Sequence, residues 1–82
     1  MKNYWVQEYS LIRKDYVTAS KFHGGIGGGQ RIVTDNEKEA IDKFNRFVES
    51  QKEKGMAEYR LVQSWYEGNI YKMKIILHAF VK

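Results

Sequence analysis

The stretch Thr34-Asp35-Asn36-Glu37-Lys38-Glu39-Ala40-Ile41-Asp42-Lys43-Phe44-Asn45-Arg46-Phe47-Val48-Glu49-Ser50-Gln51-Lys52-Glu53-Lys54-Gly55 decides the fold. Ala40, Ile41, Phe44, Phe47 and Val48 recur at steps of three and four, which places them on one face of a helix. Thr34-Asp35-Asn36-Glu37 fits a capping box: the Thr34 hydroxyl accepts an amide three residues on, and Glu37 reaches back to the Thr34 amide. Acidic residues open the stretch where the helix dipole is positive, and Lys52 and Lys54 close it ahead of a left-handed Gly55. Glu39–Lys43 and Asp42–Arg46 add i,i+4 pairs on the outer face. Residues 35–54 hold five basic and six acidic groups, so this outer face is a mixed, solvated surface.

Strand-like runs flank the helix and must supply the surface that it covers. Tyr4–Ile12 and Tyr16–Phe22 are rich in aromatic and β-branched residues, with Arg13-Lys14-Asp15 as a three-residue turn. That register sets Trp5, Tyr9 and Leu11 on one face with Val17 and Ala19. Arg31-Ile32-Val33 is a short strand leading into the helix. Met56–Tyr66 and Ile70–Val81 form the last hairpin, joined through Glu67-Gly68-Asn69, with Asn69 in the left-handed conformation. A three-residue loop there pairs Trp65 with Tyr71, Gln63 with Met73, Leu61 with Ile75 and Tyr59 with Leu77 on the helix side. The prediction is one α+β domain over residues 1–82. It is an antiparallel sheet of about four strands, ββ(β)αββ, with one amphipathic helix packed on one face.

The 82 residues include no cysteine and no proline, and the formal net charge is +4. Without cysteine there is neither a disulfide framework nor thiolate chemistry, and an intracellular, cytoplasmic setting is expected. The N-terminal residues show no leader pattern and no apolar run reaches membrane-spanning length, so we expect a natively started protein without membrane contact. The excess charge lies outside the helix, in the strand regions, and is too mild to argue for nucleic acid alone. With no proline to guard the edge strands, homodimer formation through an edge strand or the outer sheet face is open.

His23-Gly24-Gly25-Ile26-Gly27-Gly28-Gly29-Gln30 is a loop in which five of six consecutive residues, from Gly24 to Gly29, are glycine. Glycine costs backbone entropy, so such clustering reads as purposeful. An anion-binding nest of successive amides with Arg31 beside it is one reading. An interaction loop that orders on a partner is another. Gly28-Gly29-Gln30 also resembles the catalytic loop of class-I peptide release factors and related ribosome-rescue hydrolases. The resemblance implies that Gln30 would orient water against a peptidyl-tRNA ester. Here Ile26 stands where that family has its first glycine, Arg31-Ile32-Val33 departs from its continuation, and no basic tail follows.

No other constellation points to catalysis. His23 and His78 lie in different elements, too few to hold zinc, and neither a cofactor nor an enzyme is expected. The second face of the last hairpin is more informative. In the predicted register it carries Arg60, Val62, Ser64 and Tyr66 opposite Ile70, Lys72, Lys74, Ile76, His78 and Phe80. Cations interleaved with aromatics can hold nucleic acid, and an apolar strip with charged edges is also what a protein interface presents.

The junction from Ile32 through Thr34-Asp35-Asn36-Glu37 to Phe44 is similar in texture to small accessory proteins of bacteriophages and mobile elements. Such proteins often act by binding a host protein, and anti-CRISPR inhibitors are among them. The resemblance implies a small stoichiometric binder, an inhibitor of a host or defence enzyme. The expected contacts are Gly24, Gly25, Ile26, Gly27, Gly28, Gly29, Gln30 and Arg31 in the loop, and Arg60, Tyr66, Lys72 and Lys74 on the outer face. A nucleic-acid-binding module using that same face is the alternative.

Overall fold

A computed structural model describes residues 1–24 and 30–82. Gly25, Ile26, Gly27, Gly28 and Gly29, assigned above to a binding loop, lie outside the described residues. The elements run β1 (Lys2–Ser10), β2 (Asp15–Thr18), β3 (Arg31–Thr34), α1 (Glu37–Ser50), β4 (Ala57–Glu67) and β5 (Ile70–Val81). The strands form one antiparallel sheet in the order β2-β1-β4-β5, and β3 also pairs with β1. This is the predicted α+β architecture.

β2 and β3 share one edge of β1. Gln7↔Thr18 closes the β2 pairing and Trp5↔Arg31 opens that of β3. Opposite Val6 the Ala19 amide donates to the Val6 carbonyl at 2.9 Å. The chain therefore leaves this edge of β1 after Ala19 and rejoins it at Arg31. The Gln30 side-chain Nε2 donates to the Ser20 carbonyl at 3.1 Å across the neck of this excursion.

The core lies between the helix and one sheet face. Tyr4 and Val6 of β1, Ile32 of β3, Tyr59 and Leu61 of β4 and Val81 of β5 meet Ala40, Phe44 and Phe47 of the helix. Phe22, from the excursion, packs edge-on against Phe47 with ring centres 5.4 Å apart, and Phe47 packs the same way on Tyr59 at 5.1 Å.

The helix is shorter than Thr34–Gly55 and is capped differently. Thr34 pairs with Lys2 as the last residue of β3, so it cannot cap the helix. Asn36 takes that place: its backbone is extended, and its side-chain oxygen accepts the Lys38 amide at 3.1 Å. The Thr34 hydroxyl instead accepts the Asn36 amide at 3.0 Å and donates to Glu39, rather than engaging Glu37, at 2.9 Å. Gln51 ends the helix, so Lys52 and Lys54 fall in the turn beyond it, ahead of Gly55 at φ 109°. Glu39 pairs with Lys43 at 3.6 Å, whereas Asp42 and Arg46 form no ion pair.

Both hairpin registers differ from the prediction. The first turn is Leu11–Lys14 rather than Arg13–Asp15, which sets Tyr9 opposite Tyr16. Ser10 holds this turn: its carbonyl accepts the Lys14 amide at 2.7 Å and its hydroxyl accepts the Arg13 amide at 3.2 Å. Lys14 adopts φ 55°. Directly opposed residues share a face, so Tyr9 faces away from the helix with Tyr16, and Val17 lies on the other side with Glu8. Leu11 and Ile12 are exposed in the turn.

In the last hairpin the loop is Gly68-Asn69, with Glu67 opposite Ile70. Gly68, not Asn69, takes the positive φ, at 63°. Leu61 pairs with Leu77 and Val62 with Ile75, so Ile76 is an extra residue, a bulge in β5. The consequence reverses half of the predicted face. Lys72 and Lys74 pair with Trp65 and Gln63 on the helix side, and Tyr71, Met73 and Ile75 turn to the opposite side.

Tyr4 is fully buried, and its hydroxyl has no hydrogen-bond partner among the described residues. Burial, assisted by the charges of Glu37 and Asp35, pushes its pKa above the ordinary tyrosine value. Tyr59 is raised in the same direction by burial and then by Glu8. The folded state therefore holds these protons more tightly than the unfolded chain does. The associated stability is intact below the unfolded tyrosine value of about 10 and is lost as pH rises through the folded values. Urea melts against pH should show an alkaline loss, smaller in Tyr4→Phe, with little cost at neutral pH because the hydroxyl is unpaired. Phe44 is 1% exposed, and Phe44→Ala should cost about 3–5 kcal/mol in the same measurement, as buried aromatic truncations do.

Candidate interaction face

The single helix covers one side of the sheet, and no described element covers the other. Pairing registers order the open side into cross-strand rows. Tyr66 and Tyr71 form the first, near the Gly68-Asn69 turn. Val33, Asn3, Ser64 and Met73 form the second, and Arg31, Trp5, Val62 and Ile75 the third. Thr18, Gln7, Arg60 and His78 follow, then Tyr16, Tyr9, Glu58 and Phe80. β1 pairs with β4 only as far as Asn3↔Ser64, so the Tyr66–Tyr71 end projects as a two-stranded ribbon.

The middle of this face is close-packed. Val62 is fully buried although no described element lies above it. Trp5 reaches over to β4 to donate its indole N–H to the Ser64 hydroxyl at 2.9 Å, satisfying the one polar atom of a large ring. Around this centre Tyr66, Tyr71, Met73, Ile75 and Phe80 are all well exposed, Tyr66 to 70%. That is far more apolar surface than a solvated face requires.

One end carries a polar cluster. The Tyr16 hydroxyl reaches across β1 to donate to Glu58 on β4, and lies 2.6 Å from Nε2 of His78 on β5. His78 Nε2 is itself 2.9 Å from the Glu58 carboxylate. The Arg60 guanidinium sits 3.8 Å above the Tyr16 ring, a cation–π contact, and its Nε donates to Gln7 at 2.6 Å. One side chain of the shortest strands thereby braces β2 to β4 and β5. Among the described residues no three metal-ligating side chains gather.

The predicted site residues divide among three places. Arg31, Arg60 and Tyr66 share the open face. Lys72 and Lys74 lie on the other side of the sheet. Gly24 and Gln30 belong to the neck of the excursion. A Cβ at Gly24 would overlap the Arg31 carbonyl oxygen, so glycine is required there by close approach of two backbones. The Gly24 carbonyl accepts the Lys43 ammonium at 3.1 Å. Sequence reasoning missed Trp5, Tyr9, Tyr16, Glu58, Tyr71, Met73 and Ile75 as members of the open face. The alternation in β1 that could have found them was present, but Tyr4 and Val6 competed with Trp5 and Tyr9 for the core.

A double-mutant cycle of Tyr16→Phe and Glu58→Gln should give a coupling of about 0.5–1.5 kcal/mol in equilibrium unfolding, the worth of a hydrogen bond to a partly buried carboxylate. Strict additivity would contradict the bracing role. No helix among the described residues is long and apolar enough to cross a membrane. The chain matches no protein-family model, no curated protein and no solved structure.

Proposed function

We propose that the protein is a non-enzymatic binding module that engages another protein through the open sheet face. The observation that carries this reading is the composition of the five rows. Tyrosine, tryptophan, methionine and arginine fill eight of their 18 positions and lysine fills none, an enrichment that matches a protein interface core. Trp5 and Val62 supply a rigid apolar centre, and Arg31 and Arg60 supply charge at its margin. The similarity in texture to small phage accessory proteins supports the narrower reading of a stoichiometric inhibitor of a host or defence enzyme. The cysteine-free chain suits action in a reducing cytoplasm.

A nucleic-acid role is the weaker reading. It draws on Lys72 and Lys74 acting together with Arg60 and Tyr66, and the sheet separates these two pairs. The release-factor-like reading asks Gln30 to orient water, and it rests on the tripeptide Gly28-Gly29-Gln30 alone.

A photo-crosslinking residue in place of Tyr66, introduced in cells of the source organism, should give a discrete protein adduct. The same residue in place of Arg46, on the outer face of the helix, should give none. Adducts to nucleic acid, or equal protein adducts at both positions, would overturn the assignment of this face.

A further inference from the structure

The outer edge of β5 is an open template. Among the described residues β5 ends the sheet, and only its inner edge is paired, with β4. Every residue from Ile70 to Ile75 is exposed. The helix meets only the far part of the strand, where Leu77 and Ala79 pack against the core. Such an edge offers unpaired N–H and C=O groups to any strand that can lie beside it.

The two sides of this edge differ in chemistry. Lys72 and Lys74 occupy the helix side, and neither forms an ion pair among the described residues. Tyr71, Met73 and Ile75 occupy the open side. Pairing with a second copy of this chain is disfavoured in the central registers. A two-fold axis makes edge pairing antiparallel, and centring it anywhere from Lys72 to Lys74 sets lysine opposite lysine, which is destabilising. Beyond Ile75 the bulge at Ile76 exchanges the faces, so a longer self-pairing would oppose charged and apolar side chains. The same geometry is favourable for a strand of the opposite charge.

We infer that β5 receives an extended segment of a partner protein in which acidic and apolar residues alternate, added as a further strand along Ile70–Ile75. Carboxylates of the segment stand opposite Lys72 and Lys74. Its apolar side chains continue the open face beside Tyr71, Met73 and Ile75. This inference rests on the protein-binding reading and names the chemistry of the partner and the place where its contact begins.

The test is a titration of the full-length, isotope-labelled chain with two synthetic octapeptides, one alternating Glu and Val and one alternating Lys and Val, followed by backbone amide shifts. The Glu-Val peptide should give saturable shifts centred on Ile70–Ile75 and bind about tenfold or more tightly than the Lys-Val peptide, given favourable against unfavourable charge pairs. The double variant K72E/K74E, altered only at exposed side chains, should invert that preference. Absence of saturable shifts at Ile70–Ile75 at millimolar peptide, equal affinity for both peptides, or an unchanged preference in the variant would each overturn the inference. Failure here with a protein adduct at Tyr66 removes the edge and leaves the open-face reading standing. Success here without that adduct keeps the edge as a docking site and removes the open face.

Discussion

Tyr4 and Val6 point toward the helix, and in a pleated strand every neighbour of an inward residue must point outward. This parity in β1 governs both faces of the molecule, because β1 pairs with β2, β3 and β4 and passes its phase to each of them. Once Tyr4 and Val6 are committed to the core, Trp5, Gln7 and Tyr9 are committed to the open side together with their partners. A helix of 14 residues is about 21 Å long and can cover one side only. The longest dimension of the molecule is 39 Å, set by the long strands of the last hairpin. The uncovered face therefore follows from having a single helix and strongly apolar residues at both phases of one strand.

The parts of the fold encoded in short-range pattern were legible. The step of three and four in Ala40, Phe44 and Phe47 gave the helix and its buried face. The aromatic and β-branched runs gave the strands in their correct order. Register was not legible, because it depended on local chemistry that alternation does not contain. The Ser10 hydroxyl and the left-handed Lys14 set a longer first turn than composition implied. Gly68 took the conformation that Asn69 could also have adopted. The bulge was hidden for a definite reason: Ile75, Ile76 and Leu77 are three consecutive apolar residues, so nothing in their identity marks where the strand changes phase. The two-residue turn moved Lys72 and Lys74 off the face where cations had been expected to meet Arg60 and Tyr66, and the bulge returned Leu77 and Ala79 to the helix side.

The candidate site was half legible for the same reason. Arg60 and Tyr66 lie on the face expected for them because β4 runs without interruption, whereas Arg31, expected in the loop, sits in β3 directly opposite Trp5. The cluster of Tyr16, Glu58 and His78 joins residues from three strands and needs three registers at once, which no single segment discloses. Gly24 reads as one glycine among several in the sequence, and only the approach of the Arg31 backbone distinguishes it. With registers in hand, the division of labour is plain. The helix side holds the molecule together, and Lys72 and Lys74 stand on that side beside the β5 edge.

The position of β1 also bears on how the chain is made. Its partner β4 begins at Ala57, so Asn3 must find Ser64 across a separation of some sixty residues. At ordinary synthesis rates of roughly 5–20 residues per second, β1 waits several seconds for β4 to be translated. Until then Tyr4, Trp5 and Val6 have only the short strands β2 and β3 as neighbours, and the surface that later becomes both core and open face is displayed together. Pairing over such a span carries a closure entropy that local hairpins do not. The last hairpin can form by itself as soon as it is complete. The β1–β4 ladder thus spans the largest sequence separation of the strand pairings, and until β4 is made the nascent chain is open to wrong partners through the β1 segment.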